Sequence, residues 1–156
     1  MIETGQPLPT FQLKNQQGQT RTLADYKGHW LVLYIYPQDD TPGCTIQARS
    51  FTATKAEFDQ AGITVVGLSA DDQQSHQRFC DKFSLTIELL SDPQATLLRA
   101  LDPGQKEWNG TMYWNRTTFV ADPQGVVRKI YTGVKPDGHE RMLLDDIKQL
   151  QLAAQH

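Results

Sequence analysis

The stretch "YIYPQDDTPGCTIQARSF", Tyr34 to Phe51, decides how the rest of the chain is read. A β-prone apolar run breaks at Pro37 and passes two acids, Thr41, Pro42 and Gly43. It reaches Cys44 just where a helical pattern begins. Cys44 is one of only two cysteines in the chain, so its place at a helix start calls for a physical reason.

Upstream of this junction, "WLVLYIY" (30–36) is a continuous β-prone run, the pattern of a strand covered on both faces. Downstream, the spacing predicts one helix from Pro42 to about Gln60, with Cys44, Ala48, Phe51 and Phe58 on one face and Gly62 ending it. "ITVVGLS" (63–69) reads as a second buried strand. "DDQQSHQRFCDKF" (71–83) reads as a helix with an acidic first turn and a stripe of Phe79, Cys80 and Phe83. Asp92 and Pro93 read as cap and first-turn proline of a short helix running through Leu101. Residues 102–115 read as a loop rich in Gly, Trp and Tyr. "RTTFVA" and "VVRKIY" form strands joined by the turn "DPQG". Asp137 and Glu140 resemble a capping pair for a last helix whose Leu143, Leu144, Ile147 and Leu150 face the core. At the other end, "FQLKNQQGQTRTL" forms a hairpin turning at Gly18. This order predicts an α/β fold: a mixed central sheet, parallel where helices separate the strands, with helices on both faces. No repeat, linker or composition break divides the chain, so residues 1–156 read as a single domain.

Composition excludes several functions. Charged residues make up 21% and the net charge is −3, with no basic stripe for nucleic acid. The longest apolar run is about six residues, far below the ~20 that a membrane helix needs. The start, "MIETGQPLPTF", has neither the basic nor the apolar region of a signal peptide, and a cytoplasmic location is the expectation. The sequons at Asn109 and Asn115 are then accidental. In a reducing compartment two cysteines are core thiols, a redox pair or part of a metal site. The histidines (His29, His76, His139 and His156) show no ligand spacing with them.

The thiol chemistry can be weighed in numbers. An ordinary cysteine is about 3% thiolate at pH 7, so complete ionisation gains only ~30-fold. Unpaired N–H groups in a helix's first turn favour the anion, but lower basicity also blunts the nucleophile. Fast chemistry needs donors aimed at charge that develops in the transition state, each worth about 10²–10³-fold. Thr41, the amides of Gly43 and Cys44, and the guanidinium of Arg116 are the candidates, with Pro37 and Pro42 stiffening the loop. Each has a plainer reading: an inert buried thiol, an N-cap, loop and first-turn prolines, a surface arginine. Asp39 and Asp40 read as a solvated loop, and Cys80 on its apolar stripe reads as a core cysteine.

The motif Pro37, Thr41, Cys44 resembles the Pro-x-x-x-Thr-x-x-Cys loop of the peroxiredoxins. The form "DDTPGCT", with "GLSADDQQSHQRF", "LLSDP" and "NRTTFVADPQG", is similar to the bacterioferritin comigratory protein or peroxiredoxin Q branch, over more than 120 residues. The resemblance implies a thioredoxin-like fold with an N-terminal hairpin extension, and reduction of hydrogen peroxide or organic hydroperoxides. It implies Cys44 as the peroxidatic cysteine. Thr41 and Arg116 would hold and polarise the peroxide, and Pro37 would shield the sulfenic acid. Many members of the branch carry the resolving cysteine five residues after the peroxidatic one, where this chain has Arg49. Another subset places it in the following helix, so the resemblance implies a Cys44–Cys80 disulfide and local unwinding to form it. Thioredoxin, or in some members glutaredoxin, would reduce that bond. No cofactor or metal is called for, and a monomer is expected. The alternatives are a one-cysteine cycle resolved by an external thiol, a thiol–disulfide reductase, or a non-catalytic binding domain. The reductase needs Cys-x-x-Cys, and position 47 is Gln. Trp108, Tyr113 and Trp114 line a substrate or partner surface, or simply pack a long loop.

Overall fold

A computed structural model describes residues 1–154. Among these the chain runs β1 (Gln12–Asn15), β2 (Thr20–Thr22), a 3₁₀ turn (Leu23–Tyr26), β3 (Trp30–Ile35), α1 (Pro42–Ala53), α2 (Lys55–Gln60) and β4 (Ile63–Ser69). It continues through α3 (Gln73–Phe83), β5 (Glu88–Ser91), α4 (Thr96–Leu101), β6 (Gln105–Trp108), β7 (Thr111–Trp114), β8 (Thr117–Ala121), β9 (Val127–Tyr131) and α5 (His139–Ala154). Seven strands form one sheet in the order β2-β1-β5-β4-β3-β8-β9, and β6 pairs with β7 alone. The β5, β4 and β3 strands are parallel, and β1 and β8 join them antiparallel. The expected mixed sheet with helices on both faces is therefore present, and the hairpin β1–β2 turns at Gly18 with φ +79°.

The strand β3 shows why its sequence had no polar alternation. Trp30, Val32 and Tyr34 point into one core with α1, α2, α3 and α5, whereas Leu31, Leu33 and Ile35 point into the other with α4 and the 3₁₀ turn. A strand buried on both faces needs apolar residues at every position. In register with it, Gly67 leaves room for the Tyr34 ring: a Cβ there would lie 2.8 Å from Tyr34 Cζ and 2.7 Å from Leu89 Cδ2. Cys44, Ala48, Phe51, Phe58, Phe79 and Cys80 all sit in the first core, as their spacing required.

Several expectations need correction. Asp71 and Asp72 precede α3, with Asp72 its N-cap, so the first turn holds no acid, and α5 starts at His139, two residues past Asp137. The single helix 42–60 is two, because Thr54 turns its hydroxyl back to the Ser50 carbonyl at 2.8 Å and adopts φ −103°, ψ 6° between them. Such back-bonding competes with the helical ladder. Pro93 lies outside α4. Asp92 instead reaches forward, accepting from the amides of Thr96 (3.0 Å) and Leu98 (2.8 Å). Segment 102–115 is not an irregular loop but holds the hairpin β6–β7, turning on Asn109 (φ 51°) and Gly110 (φ 80°). An Asn-Gly pair is a strong hairpin signal, here set between exposed residues without apolar alternation.

His139, at the start of α5, is buried against Phe51 and Tyr131, with Nε2 2.9 Å from Thr118 Oγ1. Burial, assisted by Arg116 and opposed by Asp146, lowers its pKa to about 4. A neutral buried imidazole costs nothing above the unfolded value near 6.5; below it the unfolded chain gains a proton that the folded one refuses. Stability should therefore fall from pH 6.5 toward 4, by up to ~3 kcal/mol from this group. Denaturant titrations across that range should show a flatter pH dependence in His139→Gln; an unchanged slope would contradict the assignment.

Candidate active site

The register of β3 against β8 builds the site. Ile35 pairs with Thr117, so Arg116, just before β8, sits beside the loop that leaves β3. That loop carries Pro37 and Thr41, and α1 begins at Pro42, so Cys44 lies in the first turn. Arg116 reaches across with Nη2 3.4 Å from Cys44 Sγ, while its Nη1 donates to Gln47 Oε1 at 2.7 Å. Gln47 is one helical turn beyond Cys44 and fully buried, so one face of α1 presents both the thiol and the group that aims the guanidinium. Sequence reading noted Gln47 only for not being a cysteine. Its spacing of three from Cys44 was the available signal.

Cys44 is 1% exposed and does not itself line the neighbouring open cavity of about 690 Å³, which it meets through Arg116. Pro37, Thr41 and Arg116 line that cavity, as do Trp108, Tyr113 and Trp114 from the β6–β7 hairpin. The five residues singled out in the sequence therefore divide. Pro37, Thr41 and Arg116 meet at the cavity beside Cys44, but Cys80 does not line it. Thr41 Oγ1 donates to the Gln38 carbonyl at 3.0 Å, which commits its hydrogen and leaves its lone pairs available. Thr41 N-caps α1 by position, with no side-chain cap hydrogen bond.

Cys80 is 7% exposed in the last turn of α3, and both cysteines are free thiols. Burial, then the carboxylates of Asp39 and Asp81, push the Cys80 thiol up to about 12. Tyr34 lies near both cysteines, and its buried hydroxyl has no hydrogen-bond partner.

Asp39 corrects the sequence reading most sharply. It is 8% exposed rather than solvated, and it accepts from Tyr36 Oη (2.6 Å), Ser75 Oγ (2.7 Å) and the His76 ring. Asp40 is exposed and pairs with Lys82 at 2.8 Å. Asp39, Asp71 and His76 are the group whose spacing could accommodate a metal ion. Their facing atoms are already engaged with one another and with Ser69 and Ser75, which describes a hydrogen-bond network.

An α/β sheet carrying a helix-start cysteine against a guanidinium defines a thiol protein of thioredoxin-like architecture. The AhpC/TSA family profile matches residues 4–130, and the chain belongs to that family. It is 39% identical to the putative peroxiredoxin bcp of Helicobacter pylori, over 94% of this chain and 98% of that one. A variant of the PrxQ of Xylella fastidiosa superposes with a TM-score of 0.91 at 32% identity, covering 97% and 98% of the two chains. The bacterioferritin comigratory protein of Xanthomonas campestris, described in terms of its alkyl peroxide reduction activity, superposes with a TM-score of 0.87 at 36% identity, covering 94% of this chain and 98% of that one. Two cysteine-to-serine variants of Xanthomonas campestris peroxiredoxin Q, at positions 36 residues apart, match equally well.

The close approach of Arg116 depends on Gly43: a Cβ there would sit 3.0 Å from Nη2 and 3.4 Å from Pro136 Cγ. Gly43→Ala should raise the helix's own stability by up to ~1 kcal/mol. It should also displace the guanidinium and slow Cys44 oxidation by about tenfold or more, the loss expected when one aimed donor is partly removed. Stopped-flow oxidation and a thermal melt of the same variant would read both; undiminished reactivity would contradict the contact's importance.

Proposed function

We propose that this chain is a thiol-dependent peroxidase in which Cys44 is the peroxidatic cysteine and Cys80 resolves it. The observation that carries the proposal is the 3.4 Å contact between Arg116 Nη2 and Cys44 Sγ beside an open cavity. The Cys44 thiolate attacks the terminal oxygen of a hydroperoxide. The O–O bond breaks, the leaving hydroxide or alkoxide takes a proton to become water or an alcohol, and Cys44 becomes a sulfenic acid. Arg116 stabilises the charge spreading over both oxygens, Thr41 accepts a hydrogen bond from the peroxide, and Pro37 keeps solvent from the sulfenic acid. Charge-directed donors of this kind supply most of the acceleration, because thiolate population contributes at most ~30-fold.

The Cys80 thiol then condenses with the sulfenic acid: the S–S bond forms and water leaves. The 36-residue separation of Cys44 and Cys80 equals that of the two substituted cysteines in Xanthomonas campestris peroxiredoxin Q, which supports the pairing. Both cysteines lie inside helices, and a disulfide needs Cα atoms within about 7 Å; closing it unwinds the helix end that carries Cys44, the one that carries Cys80, or both. Opening also restores ordinary acidity to Cys80. At a pKa of about 12 only about one thiol in 10⁵ is ionised at pH 7. Thioredoxin, or alternatively glutaredoxin, reduces the bond, and the protein works as a cytoplasmic monomer. The buried, weakly acidic Cys80 favours one second reading, a cycle in which an external thiol reduces the sulfenic acid.

A peroxide-consumption assay with thioredoxin, its reductase and NADPH tests the scheme. Cys44→Ser should be inactive. Cys80→Ser should consume one equivalent and then stall or overoxidise; full turnover in that variant would establish the external-thiol cycle instead.

A further inference from the structure

A connected group of buried polar side chains lies between the Cys44 loop and α3, outside the sulfur chemistry. His76 is fully buried, with Nδ1 2.6 Å from Asp39 Oδ2 and Nε2 2.9 Å from the Leu90 carbonyl. Both ring nitrogens thus face acceptors. Asp39 also takes hydrogen bonds from Tyr36 Oη on Oδ1 and from Ser75 Oγ on Oδ2. Its backbone amide donates to Asp71 Oδ2 at 2.9 Å, and Asp71 is fixed in turn by Ser69 Oγ at 2.6 Å. A single loop residue, five positions before Cys44, is therefore tied to the strand behind it and to the first turn of α3. His76 stands one turn before Cys80 on the same helical face. The exposed Asp40–Lys82 pair adds a second tie between the same elements, one worth little in water.

We propose that Asp39 and His76 form a latch: they are positioning residues that hold the Cys44 loop against the helix bearing Cys80, and their release lets the two sulfurs meet. This rests on the reading of Cys80 as the resolving cysteine. The chemistry of the seam suits the task. A buried carboxylate with three donors is well held while both elements stay together, and poorly held if one partner is removed. Yet carboxylate, imidazole and hydroxyls are all well solvated when the seam opens. An apolar seam would instead expose surface at every turnover. The latch therefore sets a balance. Closed, it keeps Cys44 against Arg116 for attack on peroxide; open, it permits bond formation with Cys80.

A merely structural role would slow every step or none. The latch moves two elementary steps in opposite directions. Single-turnover stopped flow should separate the bimolecular oxidation of Cys44 by hydrogen peroxide from the unimolecular formation of the disulfide. Ser75→Ala removes one hydroxyl and keeps the Asp39–His76 pair; it should speed disulfide formation by about fivefold, the factor for one ordinary hydrogen bond, and slow oxidation. His76→Ala should do the same by more than tenfold, and if it fails to fold, Ser75→Ala decides alone. Unchanged rates, or both rates falling together, would overturn the latch. If the wild type forms no disulfide, the resolving role fails first. Amide exchange of residues 37–44 and 73–84 in reduced Cys80→Ser, with and without Ser75→Ala, then tests the latch separately. Faster exchange is expected, and equal exchange would overturn it.

Discussion

The structure turns on one guanidinium. Arg116 spends one nitrogen on Gln47 and points the other at the sulfur of Cys44. Because Gln47 is a neutral amide, it orients the cation without cancelling its charge, so the full field falls on the thiol and on whatever binds beside it. A carboxylate at that position would form a charge pair with Arg116 and weaken this field. The rest of the fold serves the contact. The β3–β8 register brings Arg116 to the loop, α1 brings Cys44 and Gln47 on one face, and the bare Cα of Gly43 admits the planar head.

A second constraint opposes the first. A site good at attacking peroxide must be closed, dry and fixed, and a site that makes a disulfide between two helices must come apart. The two cysteines share one apolar core with Tyr34, Tyr36, Phe51 and Phe79. The boundary between the Cys44 loop and α3, however, is lined by Asp39, Ser75 and His76. Polar groups there give the closed state a defined geometry and lose little on meeting water. The raised pKa of Cys80, set first by burial and then by Asp39 and Asp81, accords with the proposed cycle.

Much of this was legible in the chain. The strands β3 and β4 announce themselves as unbroken β-prone runs, because a central strand is buried on both faces. The apolar stripes of α1, α3 and α5 also appear as spaced. The misreadings share a cause, which is that a local pattern does not carry information about distant partners. Asp39 is buried because His76, 37 residues on, faces it, and nothing near Asp39 says so. The hairpin 105–114 was missed because β6 is exposed at every residue and shows no apolar alternation; only Asn109-Gly110 marked it. The break at Thr54 depends on one hydroxyl turning back to the helix. In the site, Thr41, Cys44 and Pro37 are visible as a motif within eight residues and Arg116 as a cation opening a later strand, whereas Cys80 is linked to them only through the resemblance to a family.

The most direct measurement is the second-order rate constant for oxidation of Cys44 by hydrogen peroxide in Arg116→Met, compared with the wild type under single-turnover conditions. Methionine keeps much of the side chain's bulk and removes the charge. A loss on the order of 10²–10³-fold, with the fold intact by circular dichroism, is the result expected if the guanidinium stabilises the breaking O–O bond. A rate constant within about threefold of the wild type, far short of one aimed donor's worth, would contradict it.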